Sequence, residues 1–189
     1  MRWQLKLLLL ISALGLMAEG VFGPLYAVFV EQIGGDLLTA GYAYSAFAVS
    51  AGVLMFFISR FEDHVKHQGR LLIAGNGLAS IGMLGYLFIT KPWHLFLVQV
   101  ILGLAVAIGT PAFDGLYSGY LEKGKFISQW GTWESMRWVV TALAAAFGGM
   151  VATLFGFRSL FIFMFFVSFA ALIISTSLAD EPEKHLRIA

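Results

Sequence analysis

The sequence predicts an all-α integral membrane protein with six transmembrane helices, arranged as a three-plus-three inverted repeat. Three observations carry this. First, the 189-residue chain is 59% hydrophobic and only 12% charged, whereas a soluble domain carries about 25% charged residues. A soluble fold of this size has too little interior for so much apolar surface, so its solvent is lipid. Second, the apolar residues form six runs, at about 5–30, 40–59, 70–90, 93–116, 127–154 and 158–178. Each is near the roughly 20 residues that cross a ~30 Å hydrocarbon core. Third, the two halves of the chain resemble each other.

The first run opens with "MRWQLKLLLLISALGLMAEG", which mimics a signal peptide. Two features argue for a retained helix instead. Leu16 stands at the −3 position of the candidate cleavage site, where a small residue is needed. The apolar run also continues to Val30, far beyond the roughly 7–15 residues of a signal h-region. Past Lys6 its only charged side chain is Glu19, with Pro24 five residues later. "EQIGGDLLT" leads to helix 2, and "RFEDHVKHQG" leads to helix 3, whose conspicuous polar residue is Asn76. "TKPW" starts helix 4, with Gln99, Thr110, Pro111 and Asp114. "YSGYLEKGKF" leads to helix 5, which carries Trp130, Trp133, Glu134, Arg137, Trp138 and Thr141. "FGF" separates it from helix 6, which is Phe-rich and uncharged, and "ADEPEKHLRIA" is a polar tail. The chain is therefore read as a single domain, 1–189, with repeat units at about 1–90 and 91–178 and a cytoplasmic tail at 179–189.

Loop charge sets the orientation. Arg2, Lys6, Arg60, Lys66, Arg70, Lys123, Lys125, Lys184 and Arg187 lie on the side of both termini, against Lys91 and Arg158 on the other. Both termini are expected in the cytoplasm, and the bias argues against a dual-topology protein. Arg137 belongs to neither set, because it lies within helix 5.

The repeat is visible around the two prolines. "FGPLYAVFVEQIGG" from Phe22 lines up with "FDGLYSGYLEKG" from Phe113, matching Leu25/Leu116, Tyr26/Tyr117 and Glu31/Glu122. A one-residue slip then pairs Gly41/Gly131, Ser45/Ser135 and Val49/Val139. A three-helix unit used twice must appear in opposite orientations, which makes the repeat inverted. Pro24 and Pro111 each remove a backbone hydrogen bond and are expected to loosen helices 1 and 4.

Helical spacing sorts the polar residues into stripes. Ser12, Gly15, Glu19, Gly23 and Tyr26 share an arc of about 80° on helix 1, and Gln99, Val106, Thr110, Asp114 and Tyr117 do the same on helix 4. The helix 5 set spans about 140°. A charge at a helix centre costs about 2.5–3.5 kcal/mol on insertion scales, so these stripes are expected to face a cavity or one another. Counted from the same side, Glu19 lies about 21 Å deep and Arg137 about 15 Å. A Glu19–Arg137 contact near the midplane is within reach, with Glu134, one turn from Arg137, as a competing partner.

These features together resemble one half of a major facilitator superfamily transporter. "SRFEDHVKHQGRLL" is similar to that family's signature cytoplasmic loop through Asp63, Gly69 and Arg70, with Ser59 where a glycine is expected. "LFLVQVILGL" resembles its Arg-x-x-x-Gly pattern, with Gln99 in place of the arginine and Gly103 kept. "AAAFGGMVATLFGFRSLF" resembles the end of helix 5 and the start of helix 6, with Gly148 and Gly149 matching the antiporter-type Gly-Gly and Ala145 in place of its proline. The resemblance implies that helices 1 and 4 line a central cavity, helices 2 and 5 meet the other half, and helices 3 and 6 face lipid. Family members have twelve helices in two halves sharing one orientation. A parallel homodimer, or a pairing with a second six-helix chain, would complete the transporter.

The resulting expectation is a secondary active transporter of a small organic solute, sugar-like or otherwise polar, working by alternating access in a prokaryotic plasma membrane. The alternatives are a multidrug efflux carrier and a non-transporting scaffold or partner subunit. Glu19 is the candidate substrate or proton site, or else a structural carboxylate paired with Arg137. Arg137 is a candidate fork for a polar or anionic solute, or the ion-pair partner that ties helix 5 to helix 1. Glu134, Trp133, Trp138, Tyr26, Gln99, Thr110 and Asn76 complete the candidate binding or coupling set, although Asn76 and Gln99 also suit inter-helix hydrogen bonds. Asp63, Arg70 and Asp114 are candidate gating residues, the first two by resemblance. No cofactor beyond a coupling proton is expected, and the net charge of +1 offers no basic surface for nucleic acid. His64 and His67 have a metal-like spacing without a third ligand, and a solvated loop is the plainer reading. An intramembrane serine protease would need a histidine base on a later helix, and none occurs between His94 and His185.

Overall fold

The computed structural model describes residues 2–62 and 67–179, and for Phe61 and Glu62 the backbone alone. Among the described residues every regular element is helical. Helix α1 (Trp3–Gly20) stops before Pro24. A 3-10 turn, Gly23–Leu25, follows and leads into α2 (Tyr26–Gln32). The ladder loosens here as proline requires: Phe22 N–H bonds the Glu19 carbonyl at 3.2 Å and Leu25 N–H the Phe22 carbonyl at 2.9 Å, both tighter turns than an α-helix makes. Gly34 takes φ 83° in the following turn. Helix α3 (Leu37–Glu62) then starts with Asp36 Oδ1 accepting from the Thr39 N–H at 2.7 Å, an N-cap bond that satisfies one free donor.

Helix α4 (Gln68–Gly85) ends in a 3-10 turn, Tyr86–Phe88. Helix α5 (Pro92–Tyr120) begins with proline in its first turn, where no N–H is needed. Pro111 lies inside this helix without ending it, so the two prolines expected to act alike differ: only Pro24 coincides with a break. Helix α6 (Phe126–Ser175) has 50 residues, and a 3-10 turn, Thr176–Leu178, follows it. Straight, it would be about 75 Å long. At Gly156 the backbone leaves helical geometry, with φ 78° and ψ 170°. Phe147 and Phe163 lie on opposite sides of that point with ring centroids 5.0 Å apart; sixteen residues of straight helix would separate them by about 24 Å. The arms α6a (126–155) and α6b (157–175) are therefore folded against each other, and glycine is needed at the turn because its φ is positive.

Five helical stretches are long and apolar enough to cross a membrane: Trp3–Gln32, Leu37–Arg60, Gln68–Phe88, Pro92–Tyr120 and Phe126–Leu178. The last contains both of the final apolar runs. The chain is an integral membrane protein.

Small residues set the helix crossings, as expected where lipid provides no hydrophobic drive for association. Gly148 of α6a lies directly against the Val21 carbonyl, and Gly20 of α1 faces Ala144. A Cβ at Gly75 of α4 would lie 2.6 Å from the Gly109 Cα of α5, and one at Gly103 would lie 2.7 Å from the Phe47 carbonyl oxygen of α3. Ser80 and Ser168 join α4 to α6b through hydroxyls 3.1 Å apart. The buried apolar side chains form two clusters. One, with Leu5, Leu8, Phe113, Leu116 and Tyr117, fills the end of the bundle that carries the N-terminus. The other, with Val21, Phe22, Phe29, Leu95 and Phe161, fills the opposite end. Phe22 anchors it through edge contacts to Tyr86 at 5.0 Å and Phe161 at 5.2 Å.

Candidate functional site

The band between the two clusters holds Gly15, Gly75, Ala79, Ala105 and Gly109, which are too small to fill it. What remains is a cavity of about 260 Å³. Its polar lining comes from Ser12 and Glu19 on α1, Asn76 on α4, Thr110 and Asp114 on α5, Trp133 on α6a and Ser168 on α6b. Residues 12, 15 and 19 fall on one face of α1, and 106, 110 and 114 on one face of α5, because steps of three and four residues nearly complete a turn. Trp133 Nε1–H donates to Ser12 Oγ at 2.9 Å, fixing one wall. Asn76 Nδ2 is buried and meets no acceptor among the described residues. Buried amide donors are nearly always satisfied, so this N–H group is available to a hydrogen-bond acceptor in the cavity.

A second cavity, about 200 Å³, lies toward the other end of α1. Glu19, Tyr26, Tyr44, Tyr86 and Gln99 supply its polar lining. Buried Gln99 donates from Nε2 to Tyr26 Oη at 2.7 Å, a bond that ties α5 to the start of α2. Three residues line both cavities: Glu19, Met83 and Leu102. Glu19 is exposed on this concavity, and among the described residues neither lining includes Lys, Arg or His.

The structure thus gathers Glu19, Trp133, Thr110, Asn76 and Asp114 around the first cavity and Glu19, Tyr26 and Gln99 around the second. It does not bring Arg137 to Glu19. Arg137 donates from Nε at 3.1 Å and Nη2 at 2.9 Å to Glu134 Oε2, and its guanidinium lies 4.7 Å from the Trp138 ring centroid. Glu134 wins because it sits three residues away on the same helix face. This pair and Trp138, which is 64% exposed, lie outside both cavities. Arg70, in the first turn of α4, is exposed and lines neither, and Asp63 lies outside the described residues. Outside the spans, Lys125 Nζ donates to Glu122 at 2.9 Å, which holds the Glu122 carboxyl down to about 2 and pushes the Lys125 ammonium up. The Thr39 bonds likewise lower Asp36. These loop groups are remote from the cavities.

Sequence reasoning missed Met83, Leu102, Tyr44 and Tyr86. For the first two a signal existed: small residues at four-residue spacing, Gly75/Ala79 and Ala105/Gly109, mark where α4 and α5 approach, and the large side chains bordering that stretch become the cavity walls.

The Major Facilitator Superfamily model matches residues 8–188. The chain is 26% identical over 147 residues to the uncharacterized MFS-type transporter YitZ of Bacillus subtilis (strain 168), covering 76% of this chain and 87% of that one. It is 21% identical over 160 residues to the uncharacterized MFS-type transporter MJ1560 of Methanocaldococcus jannaschii, covering 85% of this chain and 41% of that one. It is 24% identical over 153 residues to the multidrug resistance protein MdtG of Dickeya zeae (strain Ech586), covering 77% and 36% respectively. The chain therefore spans most of the first relative and less than half the length of the other two. With an all-helical membrane fold and a family match across nearly its whole length, the chain belongs to the major facilitator superfamily, whose members transport solutes rather than catalyse reactions.

Proposed function

We propose that this chain is a six-helix half of a secondary active transporter, with the two arms of α6 each crossing the bilayer, and that it works by alternating access as a parallel homodimer in a prokaryotic plasma membrane with both termini cytoplasmic. The observation that carries the site is Glu19: a carboxylate at mid-depth, exposed on a cavity, with no cation or hydrogen-bond donor on its side chain among the described residues. A second carboxylate, Asp114, lines the first cavity as well. With Arg137 paired elsewhere, both linings are acidic and aromatic. This favours an organic cation or protonatable amine over the sugar-like solute that an arginine in the site would have suited. The name of the multidrug resistance relative agrees with that class.

Several features support the inverted repeat. Gly34 and Gly124, ninety residues apart and at the ends of the matched segments, take φ 83° and 82°. Phe22–Tyr26 and Phe113–Tyr117 are both in ring contact, at 5.6 and 5.7 Å. Each tyrosine hydroxyl bonds another helix, Tyr26 to Gln99 and Tyr117 to the Gln129 carbonyl. The packing of α1 on α6a and of α3 on α5 is the exchange that a three-plus-three relation requires. The dimer reading rests on exposure: α3 presents Tyr42, Val49 and Val53, and α6a presents Trp138, Val139 and Leu143, all more than half exposed.

The experiment is uptake into proteoliposomes carrying an imposed pH gradient, with a fluorescent organic cation and a neutral sugar as the two solutes. Gradient-driven movement of the cation, lost in Glu19→Gln, supports the proposal. Transport of the sugar alone would reject the substrate class. Absence of any flux, with cysteines on α3 and α6a failing to crosslink between copies, would favour the scaffold reading.

A further inference from the structure

The two cavities differ in what their walls are made of. Phe113 and Trp133 are the aromatic residues of the first lining, whereas the second has Phe22, Tyr26, Tyr44, Phe47 and Tyr86. Those five come from four separate segments: the turn after α1, then α2, α3 and the turn after α4. Their planes meet at steep angles, Phe22 lying 71° from Tyr26 and 68° from Tyr86. Two of the rings are held in place. Gln99 donates to the Tyr26 hydroxyl at 2.7 Å, and Tyr86 stacks on Phe161 at 5.2 Å. Among the described residues Glu19 is the one charged side chain in this lining. Space is left between the rings: a Cβ at Gly23 would meet nothing within 4 Å. The rim is open at Tyr44, which is 61% exposed. At about 200 Å³ the cavity is smaller than the roughly 300–1,000 Å³ of a site that encloses a whole drug-sized ligand, so its size suits a head group.

We propose that the second cavity is an aromatic cage for the N-alkylated ammonium head of a solute, quaternary or tertiary, with Glu19 as its counter-charge. The face of an aromatic ring is electron-rich and attracts a cation held within about 6 Å of the ring centroid. A quaternary head has no N–H to satisfy and spreads its charge over its methyl groups, so rings can replace its water without making hydrogen bonds. A primary ammonium brings three N–H donors, which ring faces satisfy less well than water does. Methylation of the nitrogen is therefore what this wall selects. The solute's charge is taken over from the organic-cation reading above; the rings add which end of it binds here and what substituents its nitrogen carries.

The test is equilibrium binding to the full chain in lipid nanodiscs, with choline, ethanolamine and the uncharged tert-butyl analogue of choline as probes. All three carry the same hydroxyethyl tail, so they differ only in the head. Choline should bind about tenfold more tightly than either of the others. Tyr44→Leu, at the exposed rim and outside both buried clusters, should weaken choline several-fold, and Tyr44→Phe, which keeps the ring, should restore most of that loss. Gly23→Leu, which narrows the space without removing a ring, takes its place if Tyr44→Leu fails to fold. The comparison of probes needs no variant at all. Ethanolamine binding as tightly as choline would overturn the cage and leave the organic-cation reading standing. So would choline binding that Glu19→Gln abolishes and Tyr44→Leu leaves untouched, because the carboxylate alone would then hold the cation. No binding of any probe, with an organic cation still transported, would likewise overturn the cage alone. Choline binding no better than its uncharged analogue, with no organic cation transported, would overturn both.

Discussion

Two glutamates at the middle of apolar helices meet opposite fates in this molecule. Glu134 of α6a is neutralised within its own turn: Arg137 reaches it with two hydrogen bonds, and Trp138 lies under the guanidinium. Glu19 of α1 has leucine, glycine and alanine around it, no cation within its own helix, and two cavities at its side. An intramembrane carboxylate is therefore structural or available for chemistry according to what its own helix places three or four residues away. Glu134 is held as half of a local pair; Glu19 has no such partner on its own helix, and the proposed function depends on that difference.

The sharpest way to break this comparison is to give Glu19 what Glu134 has. Leu16 lies three residues before Glu19 and lines the first cavity, so Leu16→Arg supplies a cation on the same face. Flux of an organic cation should fall at least about tenfold, equivalent to about 1.4 kcal/mol of lost stabilisation, with the protein still folded by size-exclusion chromatography. The next effect concerns the wall between the two glutamates' helices. Gly148→Val forces a side chain onto the Val21 carbonyl, and overpacking of this kind costs about 1–3 kcal/mol. The thermal midpoint in detergent should drop, and flux should fall in proportion to folded protein. Tyr26→Phe removes the acceptor for Gln99 and should cost about 1 kcal/mol, read as a smaller drop in midpoint. Neutralising the other glutamate and its partner, with Glu134→Gln and Arg137→Gln together, should change detergent stability least, by under about 1 kcal/mol after allowing for their partial exposure.

The sequence made the fold legible because lipid imposes length and hydropathy on each span. The runs, the loop charges and the glycine before α6b are all local signals, and the boundaries of α3 and α5 moved by only a few residues. Pro24 and Pro111 show the limit. Their chemistry is identical, but Pro24 directly follows Gly23 and lies four residues after Gly20, where the helix is already weak, while Pro111 stands in a helix packed on both sides by α3 and α4. Periodicity fixes which residues share a face, and most residues of the α1 and α5 stripes line one cavity or the other, although Tyr117 lines neither. It does not fix which face of a neighbouring helix turns toward them. Arg137 was within reach of Glu19 by depth, but rotation of α6a about its axis sends Trp133 into the cavity and Arg137 back to Glu134. Met83 and Leu102 were missed for a different reason: apolar wall residues carry no chemical signature of their own, and only the small residues beside them marked the place.

The most direct measurement is a side-by-side flux assay of Glu19→Gln and the Glu134→Gln/Arg137→Gln double variant in proteoliposomes, with the same organic cation and the same pH gradient. Loss of flux in the first and retention of most of it in the second is the predicted result. Retained flux without the Glu19 carboxylate, or flux lost only with the Glu134–Arg137 pair, would contradict it.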